Sequence, residues 1–336
     1  MVIFEKDIAI DMGTASTLVF EQGKGVVLRE PTVVAVDKFT GKILKVGQDA
    51  QKMLGRTPAN IVAIHPVSAG VISDYEMSAQ MLRELIGRIT SFSFFKPCVL
   101  ACVPSSISGV EERAVIDSAI EAGARKVYLL ETAVATALGA GIDISKPDGH
   151  MIIDIGGGTS EVAVIALGCI ASKKSVQVAG DRLNTDIKEF MRREHNLDIG
   201  IPTAEQIKIN VGAAITQLDN PPADYEVYGR DLVHGIPRSI MINYQEVATA
   251  LNNSINAIED AVMQALNVTP PELSADIFKT GIYLAGGGSL LRGLDKRINK
   301  ITQLPVHVVE DPLRAVARGT AIALKNLDKF ESLTKY

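Results

Sequence analysis

Two short segments of this chain set an aspartate two residues ahead of a glycine and follow it with hydroxyl side chains. They are Asp11-Met12-Gly13-Thr14-Ala15-Ser16-Thr17 and Asp154-Ile155-Gly156-Gly157-Gly158-Thr159-Ser160, each lying between two apolar runs of strand type. Glycine in such a turn admits backbone conformations closed to other residues, so successive N–H groups can close around an anion such as phosphate. The hydroxyls of Thr14, Ser16 and Thr159 would add donors. An aspartate at each strand end stands where a hydrated divalent cation could bridge to phosphate, and Mg²⁺ favours few direct carboxylates and several waters. Asp11 and Asp154 are therefore the candidate metal residues. Either segment alone also reads as a hairpin turn with Asp as turn former. The repeated Asp-to-Gly spacing favours a shared phosphate-binding role.

A third glycine turn, Leu284-Ala285-Gly286-Gly287-Gly288-Ser289-Leu290, joins a strand to a helix instead. Its glycines could admit a flat nucleoside close to the backbone at the helix start, or could serve only a cap and close packing. Two familiar nucleotide loops are excluded by context. A Walker A loop needs G-K-[ST] after its glycines, whereas Thr159 is followed by Ser160 and Glu161 leading into a strand. A dinucleotide loop opens a helix, and neither Asp-bearing turn does. What remains is phosphate held by two hairpins from two similar lobes.

The elements that must position these turns follow from apolar periodicity. Apolar runs at 8–10, 18–20, 25–28 and 33–36 predict an antiparallel meander. A helical stripe of Met77, Met81, Leu82, Leu85, Ile86 and Ile89 follows, with Ser73 and Glu76 at capping-box spacing. Strand 99–103, ended by Pro104, precedes a second box, Ser108 and Glu111, and a helix to about residue 122. Strand 127–130 and helix 133–139 come next, with Thr132 placed to cap that helix. Strands alternating with helices after a meander imply a mixed sheet. At residues 152–156 the strand–Asp–x–Gly pattern restarts, which predicts a duplicated architecture. Strand 161–167, helices at 185–194, 202–211, 245–266 and 290–302, strand 306–309 and helix 312–327 complete it. Residues 218–237, rich in Pro, Asp and Gly, suit a small surface subdomain.

Composition narrows the function class. At 336 residues the chain is too long for one core, which predicts two or more lobes. A net charge of -5 without a long basic run argues against nucleic acid as a partner. Cys98, Cys102 and Cys169 are odd in number and lack C-x-x-C spacing, as expected of reduced thiols in a cytoplasm. His65, His150, His195, His234 and His307 are scattered, so no histidine metal site is expected. Neither a leader pattern nor an apolar run of about 18 residues occurs, so the chain is expected to stay cytosolic without crossing a membrane.

In order along the chain, residues 8–20 (IAIDMGTASTLVF), 102–104 (CVP), 151–164 (MIIDIGGGTSEVAV), 203–208 (TAEQIK), 271–277 (PELSADI), 284–293 (LAGGGSLLRG) and 311–319 (DPLRAVARG) carry a resemblance to the MreB family of bacterial actin-like proteins. That series spans nearly the whole chain. The resemblance implies an α/β, actin-like (ribonuclease H-like) duplicated fold of two lobes, with mixed sheets and a nucleotide cleft between the lobes. It implies large lobes at 1–32, 66–145 and 312–336 and at 146–182 and 243–311, with small subdomains at 33–65 and 183–242. The implied function is ATP/ADP binding with Mg²⁺ and polymerisation, head to tail with itself, into filaments supporting cell shape and cell-wall synthesis.

Position by position, Gly13, Thr14 and Ala15 match the family's first phosphate loop, and Gly156, Gly157, Gly158 and Thr159 the second. Asp11 and Asp154 match the Mg²⁺-associated carboxylates, Gly286, Gly287 and Gly288 the adenosine loop. Glu205 and Lys208 match residues that approach ribose and base, although their spacing also suits a surface ion pair. Phe94 and Phe95 match an apolar loop that touches the membrane, which would place the protein at the inner face of the cell membrane with membrane-bound shape and cell-wall synthesis proteins. The alternative is that those Phe cover a sheet end or a filament contact.

Two departures stand out. Ser16 replaces the usual Asn, keeping a hydrogen-bonding side chain. Where the family reads E-E-P-M, this chain reads Glu131-Thr132-Ala133-Val134, and the missing second Glu is the one linked to positioning the hydrolytic water. Thr159, Glu131 and Thr132 are thus the candidate catalytic residues, and the implied ATPase should be slow. Two alternatives remain at the sequence level: a nucleotide-stabilised scaffold with little hydrolysis, and a small-molecule kinase of the same fold.

Overall fold

The apolar run at the chain's start forms the strand Ile8–Met12, and Ser16–Glu21 folds back on it antiparallel, pairing Ile10 with Val19 and Asp11 with Leu18. The computed structural model describes residues 7–54, 58–68, 71–90 and 96–327 and residues 334–335, with backbone alone at 68, 71, 72, 90, 334 and 335. Contacts divide the chain into two units, Met1–Asp148 with Ile165–Ala171 and Leu313–Tyr336, and Gly149–Val164 with Ser172–Pro312.

The first unit is built on a six-stranded sheet in the order Thr334–Lys335, Lys126–Glu131, Cys98–Val103, Ile8–Met12, Ser16–Glu21, Gly25–Pro31. Cys98–Val103 runs parallel to both of its neighbours and is buried at every residue, as expected of a central parallel strand covered on both faces. The sheet is therefore mixed. Helices Tyr75–Thr90 and Gly109–Glu121 supply Leu82, Ile86 and Ala119 to a core with Ile8, Ile10, Val99 and Val127. Helices Thr132–Gly139 and Ala315–Lys325 pack against each other and against the same sheet.

Local expectations were met unevenly. The Ser108 box forms in full, with Ser108 Oγ accepting from Glu111 N at 3.3 Å and Ser108 N donating to Glu111 Oε2 at 2.8 Å. At the earlier helix the cap falls one residue later than the Ser73 spacing predicts. Asp74 Oδ1 accepts from Met77 N at 3.0 Å, while Ser73 Oγ donates to Pro66 O at 3.0 Å. The run at 33–36 does not extend the meander. Val34–Asp37 pairs with Ile43–Val46 and Ile61–Ile64 in a separate three-stranded sheet. Pro31 closes the preceding edge strand, where it has no N–H to give a ladder.

The second unit repeats the plan on a sheet in the order Cys169–Val176, Ser160–Ala166, His150–Ile155, Ile282–Ala285, Val306–Val308. His150–Ile155 has a hairpin neighbour on one side and the parallel strand Ile282–Ala285 on the other, as Ile8–Met12 has in the first sheet. Its core gathers Met151, Ile153, Val162, Leu183, Ile187, Val247, Leu251 and Ile258 from the sheet and the helices Gly180–His195 and Tyr244–Asn267. Two helix starts differ from expectation. Gly180–His195 begins five residues before 185, and the segment at 290–302 is a 3₁₀ turn, Gly287–Leu290, followed by the helix Leu294–Thr302. Gly293, at φ 76°, breaks the two apart. The Pro- and Gly-rich stretch contributes Tyr225–Asp231, which pairs with Leu197–Asp198 and Pro237–Ile242 in a small sheet.

Candidate functional site

In the first unit the turn after Asp11 is closed by Gly13 N donating to Ser16 O at 3.1 Å. Thr32 braces it from the next strand end. Its hydroxyl donates to Gly13 O at 2.7 Å and lies 3.0 Å from Thr17 Oγ1, and its N–H donates to Ala15 O at 3.2 Å. A methyl at position 13 would sit 3.1 Å from Ser16 O, tighter than ordinary contact, so the turn would have to shift by a few tenths of an ångström to hold one. Ala15 is exposed, whereas Thr14 is buried and presents less of itself than its hydroxyl suggested.

In the second unit the closure recurs at the same offset, Gly156 N donating to Thr159 O at 2.9 Å. Gly156, Gly157, Gly158 and Thr159 are half-buried, so solvent reaches their backbone, and Asp154 behind them is buried. The start of the helix Gly180–His195 seats on this turn. Gly180 N donates to Gly156 O at 3.1 Å and Asp181 N to Gly157 O at 2.8 Å, satisfying N–H groups that a helix start leaves without partners. Lys208 Nζ donates to Gly180 O at 2.9 Å, and burial lowers its pKa while Glu205 and Asp181 oppose the shift. Glu205 and Lys208 thus stand beside the turn on one helix, Ile201–Val211, with Lys208 anchored to backbone rather than free in solvent.

Gly286 to Gly288 meet the second aspartate. Gly286 takes φ 77°, and a methyl there would fall 2.3 Å from Ile155 O and 2.5 Å from Asp154 Oδ1. A methyl at Gly288 would fall 2.1 Å from Ile155 Cγ2. Close packing on the strand that carries Asp154 therefore demands both glycines, and only Gly287 is exposed. Gly180, Asp181 and Thr32 were missed from sequence. The signal for the first two was a glycine followed by an acidic residue at a helix start.

Glu131 and Thr132 lie in the first unit, Thr159 in the second. Glu131 ends its strand at φ -66°, ψ 135° and is the residue that precedes the helix. Thr132 is consequently the first helical residue, not the cap. Its hydroxyl donates across to Val103 O at 3.0 Å. Phe94 and Phe95 lie outside the described residues.

Among the described residues no three His, Cys, Asp or Glu side chains gather into a metal cage. One aspartate behind each glycine turn instead fits a cation that keeps most of its waters and arrives with phosphate.

A family model described as MreB/Mbl protein matches residues 5–332. The chain is 45% identical over 328 residues to the cell shape-determining protein Mbl of Bacillus subtilis (strain 168), covering 97% of this chain and 98% of that protein. It is 45% identical over 332 residues to the cell shape-determining protein MreB of Escherichia coli (strain K12), covering 97% and 95%. Among solved structures, MreB5 of Spiroplasma citri bound to ADP matches with TM-score 0.93 at 37% identity, over 98% of this chain and 99% of that one. The MamK double helical filament matches with TM-score 0.79 at 20% identity, over 95% and 99%, a likeness of fold alone.

Proposed function

Since the chain belongs to the MreB/Mbl family and has its actin-like, two-lobe α/β fold, we propose that it binds ATP or ADP with Mg²⁺ and polymerises head to tail into filaments that support cell shape at the membrane. The observation that carries this is the twofold glycine closure, Gly13 N to Ser16 O and Gly156 N to Thr159 O, each two residues past an aspartate. Each unit supplies one such turn, whose remaining backbone N–H groups would bind phosphate oxygens. Asp11 and Asp154 would hold the hydrated cation. Mg²⁺, when bound, neutralises phosphate charge that the two turns alone leave unbalanced. Glu205, Lys208 and the turn at Gly286, Gly287 and Gly288 take the nucleoside end. A solved relative bound to ADP supports nucleotide binding as such.

Self-association through two different surfaces yields an open filament when successive rotations do not close into a ring. Filaments at the inner membrane face, reached through Phe94 and Phe95, would work with membrane-bound shape and cell-wall synthesis proteins. The test is sedimentation with and without Mg-ATP. Wild type should pellet with nucleotide in a concentration-dependent way and Gly156→Val should not; equal pelleting of both contradicts the assignment.

A second reading, a nucleotide-stabilised scaffold with little hydrolysis, is favoured by Thr132. Its hydroxyl is already bonded to Val103 O and supplies no carboxylate to activate water.

A further inference from the structure

The turn joining Val34–Asp37 to Ile43–Val46 carries Phe39 with 85% of its surface exposed, the most exposed large apolar side chain among the described residues. That exposure is not a consequence of a loose loop. Asp37 Oδ1 accepts from Phe39 N at 2.9 Å, Thr40 N at 2.9 Å and Thr40 Oγ1 at 3.1 Å. Gly41 N donates to Asp37 O at 2.9 Å and Asp37 N to Lys42 O at 3.0 Å. The tip is thus ordered before anything binds it, which removes part of the entropic cost of binding.

Its charge runs against that of the chain. Lys38, Lys42 and Lys45 are all exposed around Phe39, in a protein of net charge -5. Asp37 offsets one of these charges and leaves the segment 37–45 net positive. Asp37 is turned into its own loop, where the Thr40 N–H foremost lowers its pKa. Asp49 pairs with Lys52 at 3.2 Å and Glu30 with Arg88 at 3.1 Å. An exposed aromatic tip flanked along the hairpin by exposed lysines suits a deformable anionic layer better than a preformed protein pocket. The ring can enter the boundary between headgroups and acyl chains while the lysines stay among the headgroups.

We propose that residues 37–42 form a second membrane contact, with Phe39 inserted into an anionic lipid surface and Lys38, Lys42 and Lys45 on its headgroups. This deepens the membrane part of the proposed function and rests on that part alone, independent of nucleotide and of filament contacts.

The chain has no tryptophan, so Phe39→Trp installs a single reporter at an exposed position. With phosphatidylglycerol vesicles its emission should shift to the blue and be quenched by brominated acyl chains. Phosphatidylcholine vesicles, or about 0.5 M salt, should weaken both effects. In flotation, Phe39→Ser should lower vesicle partitioning by about tenfold or more, and Lys38→Glu with Lys42→Glu should remove the preference for phosphatidylglycerol. The same shift in a Phe94→Ser/Phe95→Ser background would support the tip even if the loop at 94–95 contributes nothing. Unmoved emission with phosphatidylglycerol overturns the proposal. So does a shift driven by protein concentration without vesicles, which would assign the tip to a second copy of the chain.

Discussion

At Thr132 one hydroxyl is tied to the end of a neighbouring strand, and the position holds no carboxylate. Losing a positioned general base costs about 10²–10⁴ in rate. Phosphate release by Thr132→Glu/Ala133→Pro should therefore rise markedly over wild type; no gain there, with a large loss in Glu131→Ala, would give the role to Glu131. A second residue fixes an acid dependence. The His234 N–H, ahead of the Val233 N–H and the Arg238 guanidinium, holds the Asp231 carboxyl at about 2. An unfolded carboxyl titrates near 3.9, so this stabilisation is complete above about pH 4 and is lost as pH falls toward 2. Urea unfolding of Asp231→Asn should show a flatter decline between pH 4 and 2 than wild type, and identical declines would refute the linkage.

Between elements, the tightest packing lies where Thr132–Gly139 crosses Ala315–Lys325. A methyl at Gly139 would fall 1.9 Å from Ala315 O, and one at Gly319 would fall 1.6 Å from Ala135 O. Either change to Ala should destabilise by about 1–3 kcal/mol in denaturant unfolding. The double variant should cost less than the two together, because one separation of the helices relieves both clashes. Strict additivity would show that the helices do not move as a pair. Elements with a local cause were legible in the sequence, as at Ser108 and Glu111, where four residues hold the whole box. Those set by distant partners were not. The helix at Gly180 starts early because the Gly156–Gly157 carbonyls receive its first N–H groups. Val34–Asp37 changes sheets because of partners seven to thirty residues away in sequence, which alternation cannot choose.

For the whole molecule, the repeat of Asp-x-Gly foretold two sheets with matching strand order, because the turn and its flanking strands are one contiguous unit. The need for Gly286 beside Asp154 was not legible, since it arises from a strand more than a hundred residues away. The proposed function depends most directly on Mg-nucleotide binding at the aspartate-glycine turns. Ligand that binds only the folded state stabilises it by RT ln(1 + [L]/Kd), about 2.7 kcal/mol at a hundredfold excess over Kd. The direct measurement is thermal unfolding of wild type and Asp154→Ala across a Mg-ATP titration. The melting temperature of wild type should climb with Mg-ATP while that of Asp154→Ala stays nearly flat; an equal climb in both would rule out a role for Asp154 in nucleotide binding.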